Sequence, residues 1–176
     1  WQRAFPHVFA VGGFDAVIGN PPYGASSVKP FSQYLLEKFP NTRNFPDSYC
    51  LFMALSPLLL KNGGILGFIV PNTFCDLESC EIFRRWLLED MRLVKIYQSG
   101  WVFRDAIVDT IVVVGLNQKS LESDEVEIDV RNSVNIRKVS DFLSNHLSKI
   151  NFRFDPKKDR VIKKLEKLTN LRDIAD

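Results

Sequence analysis

Cysteine and histidine are both scarce in this 176-residue chain: three Cys and two His. Cys50, Cys75 and Cys80 are unevenly spaced and form no Cys-x-x-Cys pair, which argues against a disulfide framework and a zinc site. Buried thiols in a reducing, cytoplasmic compartment are the better reading. His7 and His146 stand alone, with no partner spacing for a metal or a catalytic triad. Long apolar runs are missing too. Leu51 to Leu60 is interrupted by Ser56-Pro57 and followed by Lys61, so no stretch approaches a membrane span and a soluble protein is expected. Trp1-Gln2-Arg3 opens the sequence without a methionine, a basic leader or an apolar core, which predicts no secretory signal and a first residue lying inside a longer protein. Internal repeats are lacking as well. Charge of one sign does not dominate, since 23 Lys and Arg face 21 Asp and Glu for a net +2. The balance is uneven along the chain: up to Val130 there are 11 basic and 15 acidic residues, and from Arg131 onward 12 and 6. A basic tail suits contact with a polyanion, although charge runs also occur as solvated helix faces.

What the chain does have is 45% hydrophobic residues, enough for one domain with a sizeable core. The stretch that organises it is Phe14-Asp15-Ala16-Val17-Ile18-Gly19-Asn20-Pro21-Pro22-Tyr23. Phe14 to Ile18 is a short apolar run between Gly12-Gly13 and Gly19, the pattern of a buried strand in a parallel sheet. Asn20-Pro21-Pro22-Tyr23 stops it. Two prolines fix two consecutive φ angles and remove two backbone donors, so the loop is stiff and its carbonyls are free to accept. Ligand crevices in open α/β sheets lie at the carboxyl ends of strands. A rigid loop there, with an amide, carbonyls and a ring, is a candidate site.

Downstream, residues 24–46 are rich in small residues and proline and read as loop, with one short helix over Phe31 to Phe39. Asp47-Ser48 caps a helix carrying Tyr49, Phe52, Met53 and Leu55, kinked at Pro57 and ended by Asn62-Gly63-Gly64. Ile65 to Val70 is a second buried strand, closed by Pro71-Asn72, and Glu78 to Asp90 a helix. Leu93 to Tyr97 and Ile107 to Leu116 follow as strands. The roughly ten residues between them are too few for a helical crossover, so the two should pair antiparallel. Lys119 to Glu125 reads as linker, and Val126 to Val130 alternates as a half-exposed strand does. Ser140 caps a short helix reaching Ser148, and Asp155-Pro156 opens another, with a boundary near residue 150.

Phe-Asp-x-Val-Ile-Gly-Asn-Pro-Pro-Tyr resembles the catalytic motif of S-adenosylmethionine-dependent amino-methyltransferases, in particular the gamma-class adenine-N6 DNA methyltransferases of type II (IIG/IIS-like) restriction–modification systems. Further matches carry the likeness on: Asp47-x-Tyr49-x-x-Phe52, Gly63-Gly64 through Pro71-Asn72-Thr73-Phe74, and Val102-Phe103 before Val108-Asp109-Thr110-Ile111-Val112. The resemblance implies an α/β fold: the later strands of a Rossmann-like methyltransferase sheet, an antiparallel hairpin strand, and a small α/β tail. It divides the chain into residues 1–118 as the C-terminal half of the catalytic domain, 119–150 as linker or extension, and 151–176 as the start of a target-recognition region.

The same resemblance assigns the chemistry. Asn20, Pro21, Pro22 and Tyr23 form the catalytic loop, in which the Asn20 side-chain oxygen and the Pro21 carbonyl accept the two protons of an exocyclic amino group. Tyr23 and Phe103 stack on a base flipped out of double-stranded DNA, and Asn20 and Phe52 contact S-adenosylmethionine, the methyl donor. From spacing alone, Phe103 reads first as ordinary packing, one of 14 Phe in the chain, and Phe52 reads equally as a core position of its helix. The family's aromatic-x-Gly-x-Gly cofactor loop does not occur in these residues, so the donor site is expected to be incomplete. The expected partners are DNA, the remaining parts of a longer protein, and, through an exposed sheet edge, a second copy; no membrane is expected. Asn-Pro-Pro-Tyr also occurs in RNA and protein-glutamine methyltransferases. Release-factor methyltransferases usually continue with a Glu-Ile-Gly strand, whereas Phe68-Ile69-Val70-Pro71-Asn72 here favours the DNA class. A DNA-binding or assembly module without catalysis is the third reading.

Overall fold

A computed structural model of the chain describes residues 1–24, 32–45, 47–98, 109–130 and 133–151. Its centre is a six-stranded mixed sheet in the order β1-β2-β4-β3-β5-β6. The strands are β1 (Phe14–Gly19), β2 (Leu60–Pro71), β3 (Arg92–Gln98), β4 (Thr110–Leu116), β5 (Glu125–Val130) and β6 (Ser133–Lys138). The helices are α1 (Pro6–Ala10), α2 (Ser32–Lys38), α3 (Ser48–Leu55), α4 (Glu81–Glu89) and α5 (Val139–Leu143). β1 runs parallel to β2, with α2 and α3 in the connection that a parallel pair needs, whereas β3 and β4 pair antiparallel, as expected from their short connection. β5 pairs parallel with β3 and antiparallel with β6. β5 and β6, within the stretch read as linker or extension, therefore extend the same sheet.

Alternation sorts each strand into two faces. Leu66, Phe68 and Val70 of β2, Val113 of β4 and Ile96 of β3 are buried, in one core cluster with Met53, Phe83, Leu87 and Phe142 from the helices. The other face is barer: Ile18 is 77% exposed and Ile65 45%. This corrects the expectation of a buried first strand. Among the described residues β1 pairs only with β2, so it is an edge strand exposed over most of its length. The N-terminal segment shields its beginning, with the rings of Phe5 and Phe9 edge-on to Phe14 at centroid distances of 5.5 and 5.8 Å.

Three local expectations are also corrected. α3 does not continue through Pro57 with a kink. It stops at Leu55, and Ser56–Leu58 form a 3₁₀ turn with Pro in its first positions, because proline cannot supply the helical N–H donor. Asn62-Gly63-Gly64 does not cap a helix but lies inside β2, where Leu60 faces Phe14 and Ile65 faces Ala16. The surplus residues loop out around Gly63 at φ +73°, and the Asn117 backbone stitches the bulge, accepting from Gly63 N–H and donating to the Gly64 carbonyl. At Gly64 a Cβ would lie 3.0 Å from two carbonyl oxygens, so the fold needs glycine there. Finally, Ser140 lies inside α5. The cap position is Lys138, whose N–H donates to the Asp141 carboxylate at 3.2 Å.

Arg84 on α4 is fully buried among backbone carbonyls, donating to Phe74 at 2.7 Å and to Leu147 at 2.8 and 3.2 Å. Burial pulls its pKa down from the usual arginine value. The guanidinium so ties α4 to the turn at Leu147, held at φ +55°. The proposed helix after Asp155 lies outside the described residues.

Cys50, Cys75 and Cys80 are free and fully buried. Burial pushes the Cys50 and Cys75 thiols well up, and Cys80 up to about 11. A raised thiol pKa lowers the thiolate fraction, to about one part in a thousand for Cys80 at pH 8. We expect iodoacetamide to leave all three unlabelled in the native chain at that pH and to label them after unfolding, as read by mass spectrometry. Fast native labelling would contradict this burial.

Candidate active site at the end of the first strand

The β1 strand ends at Gly19, opposite Phe68 of β2, and the chain leaves the sheet through Asn20-Pro21-Pro22-Tyr23. Close packing sets this exit: a Cβ at Gly19 would lie 3.1 Å from the Phe68 ring. Asn20 and Tyr23 are exposed, Tyr23 by 43%. Their side chains meet, the Tyr23 hydroxyl donating to Asn20 Oδ1 at 2.9 Å, with the Ile69 carbonyl a longer alternative at 3.3 Å. Partial burial raises the Tyr23 phenol pKa, so it remains a protonated donor at neutral pH. The ring stands edge-on to Tyr49 of α3, with centroids 6.2 Å apart. Tyr49 is buried, and its hydroxyl lies 3.4 Å from Thr73 Oγ1.

The far end of the loop is held by the start of α3. Ser48 Oγ donates to the Pro22 carbonyl at 2.7 Å, with the Gly24 carbonyl 3.2 Å away. Gly24 N–H donates to Asp47 Oδ1 at 2.9 Å, the same oxygen that takes Tyr49 N–H at 3.4 Å as the helix N-cap. The expectation of free loop carbonyls is thereby narrowed. Those of Pro22 and Gly24 face Ser48, and among the described residues none donates to Pro21.

Beside the loop lies a cavity of about 470 Å³, whose lining includes Phe14, Ile18, Asn20, Pro22, Phe52 and Phe68. Phe52 is 45% exposed, so it faces this space rather than serving as a core position of its helix. Four predicted catalytic residues and Phe52 thus share one end of the sheet. Phe103 lies outside the described residues. Asp47 and Ser48 were legible only as a helix cap, because their bonds to residues 22–24 cross a long sequence gap. A larger hollow of about 710 Å³, between α2, α3 and α4, takes no residue from the loop. Among the described residues no cluster of His, Cys, Asp or Glu could hold a metal ion, and no helix is long and apolar enough to cross a membrane.

Residues 1–103, more than half of the chain, match the Eco57I restriction-modification methylase family. The chain belongs to that family. Among curated relatives of this Eco57I-like chain, a putative type II restriction enzyme and methyltransferase of Methanocaldococcus jannaschii is 35% identical over 127 residues, covering 72% of this chain and 10% of that protein. The chain therefore spans about a tenth of that relative's length. Among solved structures, the type IIG restriction endonuclease BpuSI superposes with a TM-score of 0.57 at 20% identity, over 76% of this chain and 20% of that one. A putative class I S-adenosylmethionine-dependent methyltransferase of Listeria monocytogenes gives 0.54 at 16% identity, over 69% and 38%. At such identities the likeness concerns the fold, and that fold is the partial Rossmann-like methyltransferase sheet expected from the sequence.

Proposed function

We propose that the whole protein transfers a methyl group from S-adenosylmethionine to N6 of an adenine in double-stranded DNA, as part of a restriction–modification system. The observation that carries this reading is a pair of acceptors, Asn20 Oδ1 and the Pro21 carbonyl, on a stiff loop beside an apolar cavity. An exocyclic amino group is a poor nucleophile because its lone pair is delocalised into the ring. Two fixed acceptors that hydrogen-bond both amino protons draw the nitrogen towards tetrahedral geometry and free the lone pair; one of those protons is lost once the methyl is attached. Because the prolines hold the loop in place, its dipoles need not reorganise during transfer. The Tyr23 ring, exposed and backed by Tyr49, supplies a stacking face that offsets part of the few kcal/mol spent in flipping the base. Phe103 is proposed as the second stacking ring.

The donor's chemistry is that of a sulfonium methyl, transferred without a covalent enzyme intermediate. The cavity's volume and its aromatic and aliphatic lining fit the adenosyl part of such a molecule, with Phe52 and Asn20 in contact. No aromatic-x-Gly-x-Gly occurs in the 176 residues, so the remaining donor contacts are proposed to come from elsewhere in the whole protein. On this reading residues 1–118 are the C-terminal half of the catalytic domain, 119–150 extend it, and 151–176 begin target recognition, the basic tail facing phosphates. The protein acts in the cytoplasm.

The test is radiolabelled methyl transfer by the whole protein to unmethylated DNA, RNA and peptide, followed by hydrolysis of the product. We expect label in N6-methyladenine from DNA. Label in RNA or in glutamine instead, or none at all, would overturn the proposal.

A further inference from the structure

We infer that Asp47 and Ser48 are positioning residues for the transfer, an inference resting on the function proposed above. The loop has an unusual mechanical problem. Pro21 and Pro22 contribute no N–H, so their own backbone can be anchored only through its carbonyls, with the Gly24 N–H available two residues after Pro22. Ser48 and Asp47 engage both. The Ser48 hydroxyl donates to the Pro22 carbonyl at 2.7 Å, and Asp47 Oδ1 accepts from Gly24 N–H at 2.9 Å.

The anchor is itself rigid. Ser48 is 5% exposed, and the residues that follow it, Tyr49, Cys50 and Met53, are in the core at 1% exposure or less. Asp47 Oδ1 also caps α3 through Tyr49 N–H, so one carboxylate fixes the helix start and the loop end together. With two φ angles locked by proline, holding the Pro22 carbonyl leaves little freedom for the Pro21 carbonyl one peptide earlier. Ser48 therefore selects which carbonyl stays open. It engages Pro22 and leaves Pro21 to meet the amino group. Without this clamp the acceptor pair loses its register, and displacements of about 1 Å in such a site cost about a hundredfold in rate.

The experiment uses the whole protein with S-adenosylmethionine and unmethylated plasmid DNA, and compares Ser48→Ala, Asp47→Ala, Asp47→Asn and Asn20→Ala. Turnover number, KM for donor and DNA, and thermal midpoint are read for each. Ser48→Ala and Asp47→Ala are expected to lower kcat by about ten- to a hundredfold, with both KM values within about twofold of the parent. Asp47→Asn keeps an acceptor oxygen and a good cap, and should recover most of what Asp47→Ala loses. Ser48→Ala leaves the cap intact, so it carries the test if Asp47→Ala fails to fold. Loss of thermal midpoint with unchanged kcat would reduce the pair to a helix cap and overturn the inference. An inactive Asn20→Ala beside a fully active Ser48→Ala would sink only this inference. Turnover retained by Asn20→Ala would remove the proposed function, and this inference with it.

Discussion

Replacing Asn20 by Ala in the whole protein should lower methyl transfer at least a hundredfold while leaving the fold close to wild type. The size follows from the role proposed for Oδ1. Removing one preorganised group that meets developing charge costs about a hundred- to a thousandfold in other enzymes. The modest effect on folding follows from position. Asn20 is exposed, beyond the last ladder residue of β1, and its described side-chain partner is the Tyr23 hydroxyl. That hydroxyl retains the Ile69 carbonyl at 3.3 Å, so the substitution strands no buried group and should cost about 1 kcal/mol or less. Tritium incorporation into DNA and a denaturant melt check both halves. A variant that keeps more than about a tenth of parental turnover would take Asn20 out of the chemistry.

Where local sequence carried the physics, the fold was legible. The β1 run bounded by glycines, the antiparallel pairing forced on β3 and β4, and the Asp47 cap each follow from a few adjacent residues. Misreadings arose where one signal has two physical uses. Gly63-Gly64 suits a helix terminus and a strand bulge equally, because both need a positive φ; only pairing with Asn117 decides. β6 was missed although Ser133 to Ile136 alternate polar and apolar; its apolar positions, Val134 and Ile136, are the exposed ones, at 56% and 62%, so they serve no core. Its pairing with β5 is what makes it a strand. The candidate site divides in the same way. Asn20 to Tyr23 could be found from the tetrapeptide at a strand end. The second use of Asp47 and Ser48 could not, since a cap is complete without residues 22–24 and nothing local points back to them.

The other large effect concerns the 176-residue chain isolated from any further sequence. β1 has, among the described residues, one neighbour, and Ala16 and Ile18 are exposed beside Ile65 on the adjacent strand. The aromatic cluster of the N-terminal segment gathers at Phe14 and leaves Ile18 77% exposed. An edge with unpaired backbone groups and an apolar face is a template for pairing with another chain, and natural proteins avoid leaving one open. The same edge borders the cavity lined by Ile18, Asn20 and Phe52, so pairing along β1 would also change the rim of that cavity. We therefore expect sedimentation of the isolated chain to show concentration-dependent association, and Ile18→Lys to suppress it by placing a charge on the face. Calorimetry should give S-adenosylmethionine affinity no better than about millimolar, worth about 4 kcal/mol, since the cavity offers stacking and an amide but no glycine-rich cradle. A micromolar site on a monomeric 176-residue chain would show instead that the pocket beside Asn20 is sufficient by itself.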